Sequence, residues 1–128
     1  AVLLAKLKHF DAEIKSRNLI ANFYNQKLSD KLNKPKIKKS NYSVYAQYTL
    51  KLANRDIIKD KLKKLGIPTM IYYPSSLHKQ KVFNKYFFNN SEFKITNKLV
   101  KQVLSLPIDP YMTKANQKYI INKLNNLV

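Results

Sequence analysis

The stretch from Gly66 to Gln80, GIPTMIYYPSSLHKQ, is the most informative part of the sequence, because it holds the only glycine, two of the five prolines and one of the two histidines. Glycine just past the end of a helix adopts the left-handed conformation at no steric cost. An amphipathic run, Arg55 to Leu65, precedes Gly66. The sequence therefore predicts a helix over this run that ends at Gly66.

The residues after Gly66 favour an extended chain. Residues 67–73 are rich in β-branched and aromatic types, and Pro74 disfavours the α conformation at Tyr73. We therefore expect a strand that leads into a loop, Tyr72 to Gln80. This loop carries two phenols, two hydroxyls, an imidazole and an amide at the end of a regular element, where recognition groups are usually placed. It is the candidate site.

Composition excludes several kinds of chemistry. With 128 residues, 45% of them hydrophobic, the chain can form one domain with a core. The absence of cysteine excludes disulfides and thiolate nucleophiles, and His9 and His78 are too far apart for a usual metal site. A single glycine cannot form a glycine-rich phosphate loop. We expect neither a metal site nor nucleoside-triphosphate chemistry, and we expect His9 to be an ordinary surface histidine.

The formal net charge of +18 is typical of proteins that bind nucleic acid or another anionic surface. The cations are nearly all lysine, however, and Arg17 and Arg55 are the only arginines. A genome rich in adenine and thymine would also produce this composition, and arginine is the residue that binds guanine and phosphate through paired hydrogen bonds. We favour a solvated surface and keep a free-standing basic module that binds nucleic acid or another polyanion as the alternative.

The opening residues have the pattern of one long amphipathic helix, Ala1 to Leu28. Apolar residues recur at three- and four-residue spacing: Leu3, Leu7, Phe10, Ile14, Ala21, Tyr24 and Leu28. Such a helix is about 40 Å long, enough to link two domains. For Arg17, which interrupts the stripe, we favour a side chain that reaches solvent over one that pairs with a buried carboxylate. The opening fits neither a signal peptide nor a membrane span, and we expect it to continue a longer chain.

A strand and a helix follow the lysine-rich loop of residues 31–41. Residues 42–52 alternate in polarity, which places Val44, Ala46, Tyr48, Leu50 and Leu52 on the buried face and Ser43, Tyr45, Gln47, Thr49 and Lys51 on the other. Asn54 is the predicted N-cap of the helix that starts at Arg55. Asp56 lies in its first turn, where the helix dipole favours an anion.

The later elements are shorter, and strands separated by helices predict a two-layer α/β sandwich, with helices on one face of a small sheet. We expect a short helix through Val82, Phe83, Tyr86 and Phe87, a helix over Asn97 to Val103 capped by Thr96, a strand over Leu104 to Ile108, and a last helix capped by Thr113 with Ile120, Leu124 and Leu127 on its apolar face. Parallel and antiparallel pairing stay open. We divide the chain into a linking helix, residues 1–30, and a small α/β domain, residues 31–128.

Three separated blocks resemble one known family. They are SVYAQYTLKLANRD at Ser43 to Asp56, GIPTMIYYPSSLHKQ at Gly66 to Gln80 and VLSLPIDP at Val103 to Pro110. Their order resembles the C-terminal part of the DegT/DnrJ/EryC1/StrS sugar-nucleotide aminotransferases. The opening AVLLAKLKHFD resembles the helix that leads from the large domain of that family into its small one. VYAQYT is similar to members that aminate UDP-linked 3-keto sugars, including 3-keto-N-acetylglucosaminuronates.

The resemblance implies the small C-terminal domain of a fold-type I, pyridoxal-phosphate-dependent transferase. Such enzymes move an amino group, usually from glutamate, to a keto sugar nucleotide for bacterial surface polysaccharides such as O-antigen. In the family, the lysine that holds the cofactor and its aspartate partner precede the helix with which this chain begins. The resemblance therefore implies no catalytic or cofactor-binding residue in this chain, and we expect the chain alone to be inactive and to bind no pyridoxal phosphate specifically. It further implies a cytoplasmic homodimer with neither membrane nor nucleic acid as a partner.

The resemblance also selects Tyr72, Tyr73 and His78 as candidate substrate-binding residues. Residues 72–80 stand where the family has a His-Tyr-Pro…Leu-His-x-Gln segment that approaches the sugar. Tyr72 stands where histidine is common, which keeps a hydrogen-bond donor but loses a group that titrates near neutrality, and Asp109 also replaces a frequent histidine. The alternative for both tyrosines is a half-buried ring that covers the sheet. For His78 we favour a structural hydrogen bond to the backbone.

Overall fold

A computed structural model describes residues 2–83, 85–86 and 90–128. In chain order the regular elements are α1 (Val2–Lys27), β1 (Tyr48–Lys51), α2 (Arg55–Lys64), α3 (Lys94–Leu99), β2 (Val103–Leu106) and α4 (Lys114–Asn125). In the described residues between α2 and α3 lie three short 3-10 turns, Leu77–Lys79, Lys81–Phe83 and Asn90–Phe93. The chain is a mixed α/β structure, as predicted.

A two-stranded antiparallel sheet lies at the centre of the domain. Strand β1 pairs with β2 so that Tyr48 lies opposite Leu106 and Leu50 opposite Leu104. These four side chains are buried, because alternate residues of a strand point to one face. The pairing that the sequence left open is therefore antiparallel, and one face of the sheet carries the core.

The predicted strand over residues 67–73 is reduced to a single bridge. Met70 and Ser105 of β2 exchange two backbone hydrogen bonds, of 3.0 and 2.9 Å. Pro68 and Pro74 flank the bridge and have no N–H to extend a ladder. The segment thus lies beside β2 without forming a strand.

Strand β1 is shorter than the predicted one because the chain turns at Tyr45. This residue has a φ of 45°, in the left-handed region that a strand does not contain. Its ring is buried and stacks on Tyr48, with centroids 6.2 Å apart. The predicted alternation therefore holds from Tyr48 onward and fails before it, where Val44 and Ala46 are exposed.

Helix α2 ends as predicted, at Gly66 with a φ of 72°. The Gly66 N–H donates to the Lys63 carbonyl (3.0 Å) and the Ile67 N–H to that of Leu62 (2.9 Å), which together form a Schellman cap. The capping prediction at the other end is wrong. Asn54 occupies the N-cap position but its side chain makes no capping bond, because its φ of −103° and ψ of 46° leave the extended conformation in which N-cap side chains act.

The second half of α1 belongs to the core, whereas its first half is exposed. Ala21, Tyr24 and Leu28 are buried, but Leu3 and Leu7 are 79% and 62% exposed. The predicted apolar stripe is therefore covered only at its C-terminal end. Ala1, where the predicted helix begins, lies outside the described residues.

Arg17 does not reach into solvent, contrary to our preference. Its guanidinium lies 3.3 Å from the Glu13 carboxylate, one helical turn earlier, and the two side chains are only 22% and 15% exposed. Residues four positions apart are neighbours on a helix. The alternative prediction, a pair with a buried carboxylate, is therefore the better one, and Glu13 is the partner of Arg17.

The predictions between residues 80 and 110 fail at element boundaries. Helix α3 begins at Lys94, so Thr96 lies inside it and does not cap it. Val103 opens β2, where it pairs with Lys51, and that strand ends at Leu106 because Pro107 offers no N–H. The predicted helix near residue 82 is the 3-10 turn Lys81–Phe83, and Phe87 lies outside the described residues.

The last helix, α4, begins and packs as predicted. The Thr113 side chain accepts a hydrogen bond from the Asn116 N–H at 3.2 Å, and Ile120 and Leu124 are buried while Leu127 is partly buried. No helix within the described residues is long and apolar enough to cross a membrane.

Candidate functional site

All three blocks that carry the resemblance meet at one cleft of about 310 Å³. The first block contributes Ala46 and Gln47, the second Thr69, Met70 and Tyr72, and the third Ser105 and Asp109. We call this the Tyr72 cleft. Segments far apart in sequence come together here, which is the usual construction of a ligand site.

The sheet explains why these segments meet. The β1–β2 pairing places the first block beside the third, and the Met70–Ser105 bridge holds the second block against the same strand. The Ser105 hydroxyl is buried and lies 2.8 Å from that of Thr49 across the strand pair. Hydrogen bonds of backbone groups and of the Ser105 hydroxyl thus hold these segments together.

The two candidate tyrosines occupy different positions. Tyr72 lines the cleft and is 51% exposed, whereas Tyr73 is 68% exposed and is not among the described residues that line this cleft. Tyr72 is therefore placed for a contact with a ligand in the cleft. That either phenol binds substrate stays a prediction.

His78 lies in a separate cleft of about 310 Å³, with Leu77, Phe83, Phe93 and Thr96. Its imidazole stacks on Phe93, with ring centroids 4.3 Å apart and planes 20° from parallel. The structure therefore does not bring His78 together with Tyr72, and its role in substrate binding stays a prediction. His9, on α1, is exposed as expected.

A second cleft, of about 480 Å³, adjoins the Tyr72 cleft. We call it the α4 cleft, because Asn116, Tyr119 and Ile120 of that helix line it. The two clefts share Pro68, Pro107 and Asp109. Asp109 thus stands at their junction.

The wall at this junction is tied to α1 through Tyr111. The Tyr111 N–H donates to the Asp109 carboxylate at 2.8 Å, and the Tyr111 hydroxyl donates to the Glu13 carboxylate at 2.8 Å. The hydrogen bond to Glu13 raises the pKa of the Tyr111 phenol. Tyr111 therefore connects the Asp109 carboxylate to Glu13 on α1.

Sequence reasoning missed Gln47 and Thr69, which supply an amide and a hydroxyl to the Tyr72 cleft. Gln47 is exposed and lies within the VYAQYT run, just before β1. Its position beside Thr69 depends on the strand pairing, which no local pattern reveals. The sequence did contain a signal for both residues, because each belongs to a block that resembles the family.

The residues of the chain offer little that could hold a metal or a covalently bound cofactor at this site. Among the described residues, no group of three or more His, Cys, Asp or Glu side chains could hold a metal ion. Every lysine is exposed or half-buried, and none is among the described residues that line the Tyr72 or α4 clefts.

Known proteins are similar to this chain in sequence and in fold. Residues 1–125 match the profile of the DegT/DnrJ/EryC1/StrS aminotransferase family. The UDP-2-acetamido-2-deoxy-3-oxo-D-glucuronate aminotransferase of Pseudomonas aeruginosa is 37% identical over 127 residues, which are 98% of this chain and 34% of that protein. The UDP-N-acetyl-3-dehydro-alpha-D-glucosamine 3-aminotransferase of Acidithiobacillus ferrooxidans is 32% identical over 110 residues, 85% of this chain and 29% of that protein.

A solved structure gives the same result. The crystal structure of a DegT DnrJ EryC1 StrS aminotransferase from Brucella abortus superposes with a TM-score of 0.91 at 36% identity, covering 98% of this chain and 34% of that one. The chain thus spans about a third of the length of the relatives it matches. The fold expected from the resemblance is confirmed, and the chain belongs to the DegT/DnrJ/EryC1/StrS aminotransferase family.

Proposed function

We propose that this chain is the small C-terminal part of an aminotransferase that moves an amino group from glutamate to a UDP-linked 3-keto sugar, for bacterial surface polysaccharide. The observation that carries the proposal is the meeting of the three family blocks at the Tyr72 cleft. Two relatives named for UDP-sugars oxidised at C3 support the substrate class. One of those names denotes an anionic uronate and the other an uncharged glucosamine.

In this proposal, the Tyr72 cleft binds the sugar. The Gln47 amide, the Thr69 hydroxyl and the Tyr72 phenol can each donate and accept hydrogen bonds, and sugar hydroxyls need both. Met70 and Leu106 supply apolar surface beside them. The chain thereby orients the substrate, which is the role of the protein in cofactor chemistry. Tyr73 and His78, which are not among the described residues that line this cleft, are proposed to contact the substrate outside it.

Pyridoxal phosphate, when bound to such an enzyme, stabilises the negative charge that develops as the amino group is exchanged. The lysines of this chain do not suit the attachment of pyridoxal phosphate. An attachment lysine must lie inside the site, whereas these lysines are exposed or half-buried. We propose that the rest of the enzyme holds the cofactor. By itself the chain would then bind none specifically and would be inactive.

The division into a linking helix, residues 1–30, and a domain, residues 31–128, is part of the same proposal, as are a homodimer and a cytoplasmic location. The burial of Ala21, Tyr24 and Leu28 adds that the end of the linking helix would be fixed to the domain. A movement of the domain would then also move the exposed first half of the helix.

Steady-state kinetics of the enzyme that carries this chain test the proposal. Tyr72→Phe should raise the KM for the sugar nucleotide several-fold and leave glutamate kinetics unchanged, because a lost substrate hydrogen bond weakens binding of that substrate alone. Tyr42→Phe, an exposed tyrosine outside the cleft, is the matched control. Equal KM values for Tyr72→Phe and the control would contradict a sugar contact at Tyr72.

The alternative, a basic module that binds nucleic acid, is supported by the charge of +18. DNA binding at several salt concentrations separates the two functions. Tight binding whose log K falls steeply with log salt would favour the alternative, because each neutralised phosphate releases counterions. Weak, sequence-independent binding is what the aminotransferase proposal expects of so many exposed lysines.

A further inference from the structure

We propose that Asp109 selects a sugar without a negative charge, so that the substrate is an uncharged 3-keto sugar nucleotide and not a uronate. This inference deepens the proposed function and rests on it. It starts from the position of Asp109, the only described residue with a charged side chain that lines either the Tyr72 cleft or the α4 cleft.

The carboxylate is held in place at the junction of the two clefts. Its Oδ1 accepts the Tyr111 N–H at 2.8 Å, and the Asp109 carbonyl accepts the Met112 N–H at 3.0 Å. Within the described part of the chain, neither a hydrogen bond nor an ion pair engages Oδ2. Asp109 is exposed, so this oxygen can meet a ligand.

No cation in the described chain neutralises this carboxylate. Lysine and arginine account for 25 of the 128 residues, yet none is among the described residues that line the two clefts. Two of the cations have partners elsewhere: Arg17 pairs with Glu13, and the Lys114 ammonium lies over the Phe23 ring. Glu13 and Arg17 neutralise each other, so among the described residues Asp109 alone gives the two clefts a negative charge, although the chain is strongly positive.

This arrangement suits hydroxyl groups and opposes a carboxylate. A carboxylate accepts hydrogen bonds and cannot donate them, so Asp109 can bind a sugar hydroxyl, while Gln47, Thr69 and Tyr72 supply the complementary donors. A sugar carboxylate in the same place would be repelled. Two like charges at about 4 Å in a water-like environment lower binding by about fivefold, and more where water is excluded.

Binding to the 128-residue chain, followed residue by residue, tests the inference. The labelled chain is titrated at low salt with UDP-N-acetylglucosamine and with the corresponding uronate, while the Gln47 side-chain amide and the Thr69 and Asp109 backbone amides are observed by NMR. UDP alone identifies the shifts that the nucleotide causes. We expect the uncharged sugar nucleotide to bind at least fivefold more tightly, by a ratio that falls as salt screens the repulsion.

Two variants assign the preference to one residue. Asp109→Asn should bring the two affinities to within about twofold of each other, whereas Asp60→Asn, which removes the same charge from an exposed site on α2, should preserve the preference. Equal affinities in the unsubstituted chain, or a preference that survives Asp109→Asn, would overturn the inference and leave the proposed function standing. If neither sugar nucleotide shifts the cleft resonances beyond UDP, the sugar contact proposed for this chain fails, and the inference falls with it.

Discussion

Leu62 shows how much one side chain contributes to this small core. It lies on α2, is fully buried and also supplies the carbonyl that closes the Schellman cap. Truncation would remove buried apolar surface and leave a cavity beside the sheet. Because a domain of this size has a marginal net stability, a loss of a few kcal/mol here is a large part of the total.

We therefore expect Leu62→Ala to lower the free energy of unfolding by about 2–4 kcal/mol. Ile57→Ala is the control, because Ile57 lies on the same helix but is 58% exposed and should cost well under half as much. Urea unfolding followed by circular dichroism measures both. An unchanged midpoint for Leu62→Ala would mean that α2 does not pack on the sheet.

Among the elements, the two helix caps give the clearest contrast. Thr113 and Asn54 both precede a helix and both have side chains that favour the N-cap position. Only Thr113 has the extended backbone, with φ −68° and ψ 154°, and only its side chain accepts a capping bond. Cap stability thus depends on a backbone angle that the residue type does not determine.

Thr113→Ala should cost about 1 kcal/mol of unfolding free energy, because the Asn116 N–H loses its acceptor. Asn54→Ala, which removes a side chain that makes no capping bond, should change stability by less than half of that. Chemical denaturation of the two variants makes the comparison. Equal losses would show that Asn54 caps α2 in solution.

The same contrast shows which elements could be predicted from the sequence. Gly66 ends α2 as predicted because its signal is local: the residue itself tolerates the left-handed conformation. Residues 67–73 have the composition of a strand but form only one bridge, and Val103, which was predicted in a helix, lies in β2. Both outcomes depend on pairing with a distant strand. Tyr45 is the sharpest case, since an aromatic residue with a positive φ is disfavoured by every local rule.

The candidate site follows the same division. Tyr72 could be selected from the sequence because it stands in the segment that resembles the sugar-side motif of the family, whereas Asp109 was recognisable only as a departure from a frequent histidine. The blocks could not show that Tyr72 shares a cleft with Gln47 and Asp109 while His78 lies in another, since that depends on the antiparallel pairing of β1 and β2. The family was thus predictable from local motifs, and the geometry of the candidate site was not.

Two buried tyrosines make the stability of the folded chain depend on pH. Burial raises the pKa of Tyr24; for Tyr48, burial is the main cause and the neighbouring Tyr45 and Tyr24 add to it. Both rings lie in contact, with centroids 5.1 Å apart. Their hydroxyls donate to the Pro107 carbonyl (2.9 Å) and the Asn25 side chain (2.6 Å). The folded state therefore keeps these protons at a pH at which the unfolded chain releases them.

Because an unfolded tyrosine titrates near pH 10, the stability that these protons provide is complete below about pH 10 and is lost as pH rises above it. Each buried phenol should contribute a slope of about 1.4 kcal/mol per pH unit there. Tyr48→Phe should remove one such contribution, whereas Tyr73→Phe, at an exposed site, should leave the slope unchanged. Denaturant unfolding between pH 9 and 11 measures it, and identical slopes for all three proteins would contradict the burial of Tyr48.

The whole molecule also determines how the chain should react with pyridoxal phosphate. Its lysines are numerous and accessible, since each is exposed or half-buried, and none is among the described residues that line the Tyr72 cleft. An aldehyde should therefore modify many of them weakly, with nothing to position one ahead of the rest.

Borohydride reduction followed by peptide mass mapping gives the distribution of adducts directly. We expect adducts spread over many lysines, no saturation at one equivalent of pyridoxal phosphate and no conversion of glutamate. Acetylated chain, which has no free amines, is the control for non-covalent uptake. One lysine modified to completion by a single equivalent would mean that the chain holds the cofactor by itself, and the proposed division of the enzyme into a cofactor-holding part and this substrate-side part would be wrong. A spread of adducts together with a Tyr72 cleft that binds sugar nucleotide would instead support that division, because the two activities would be separated within one enzyme.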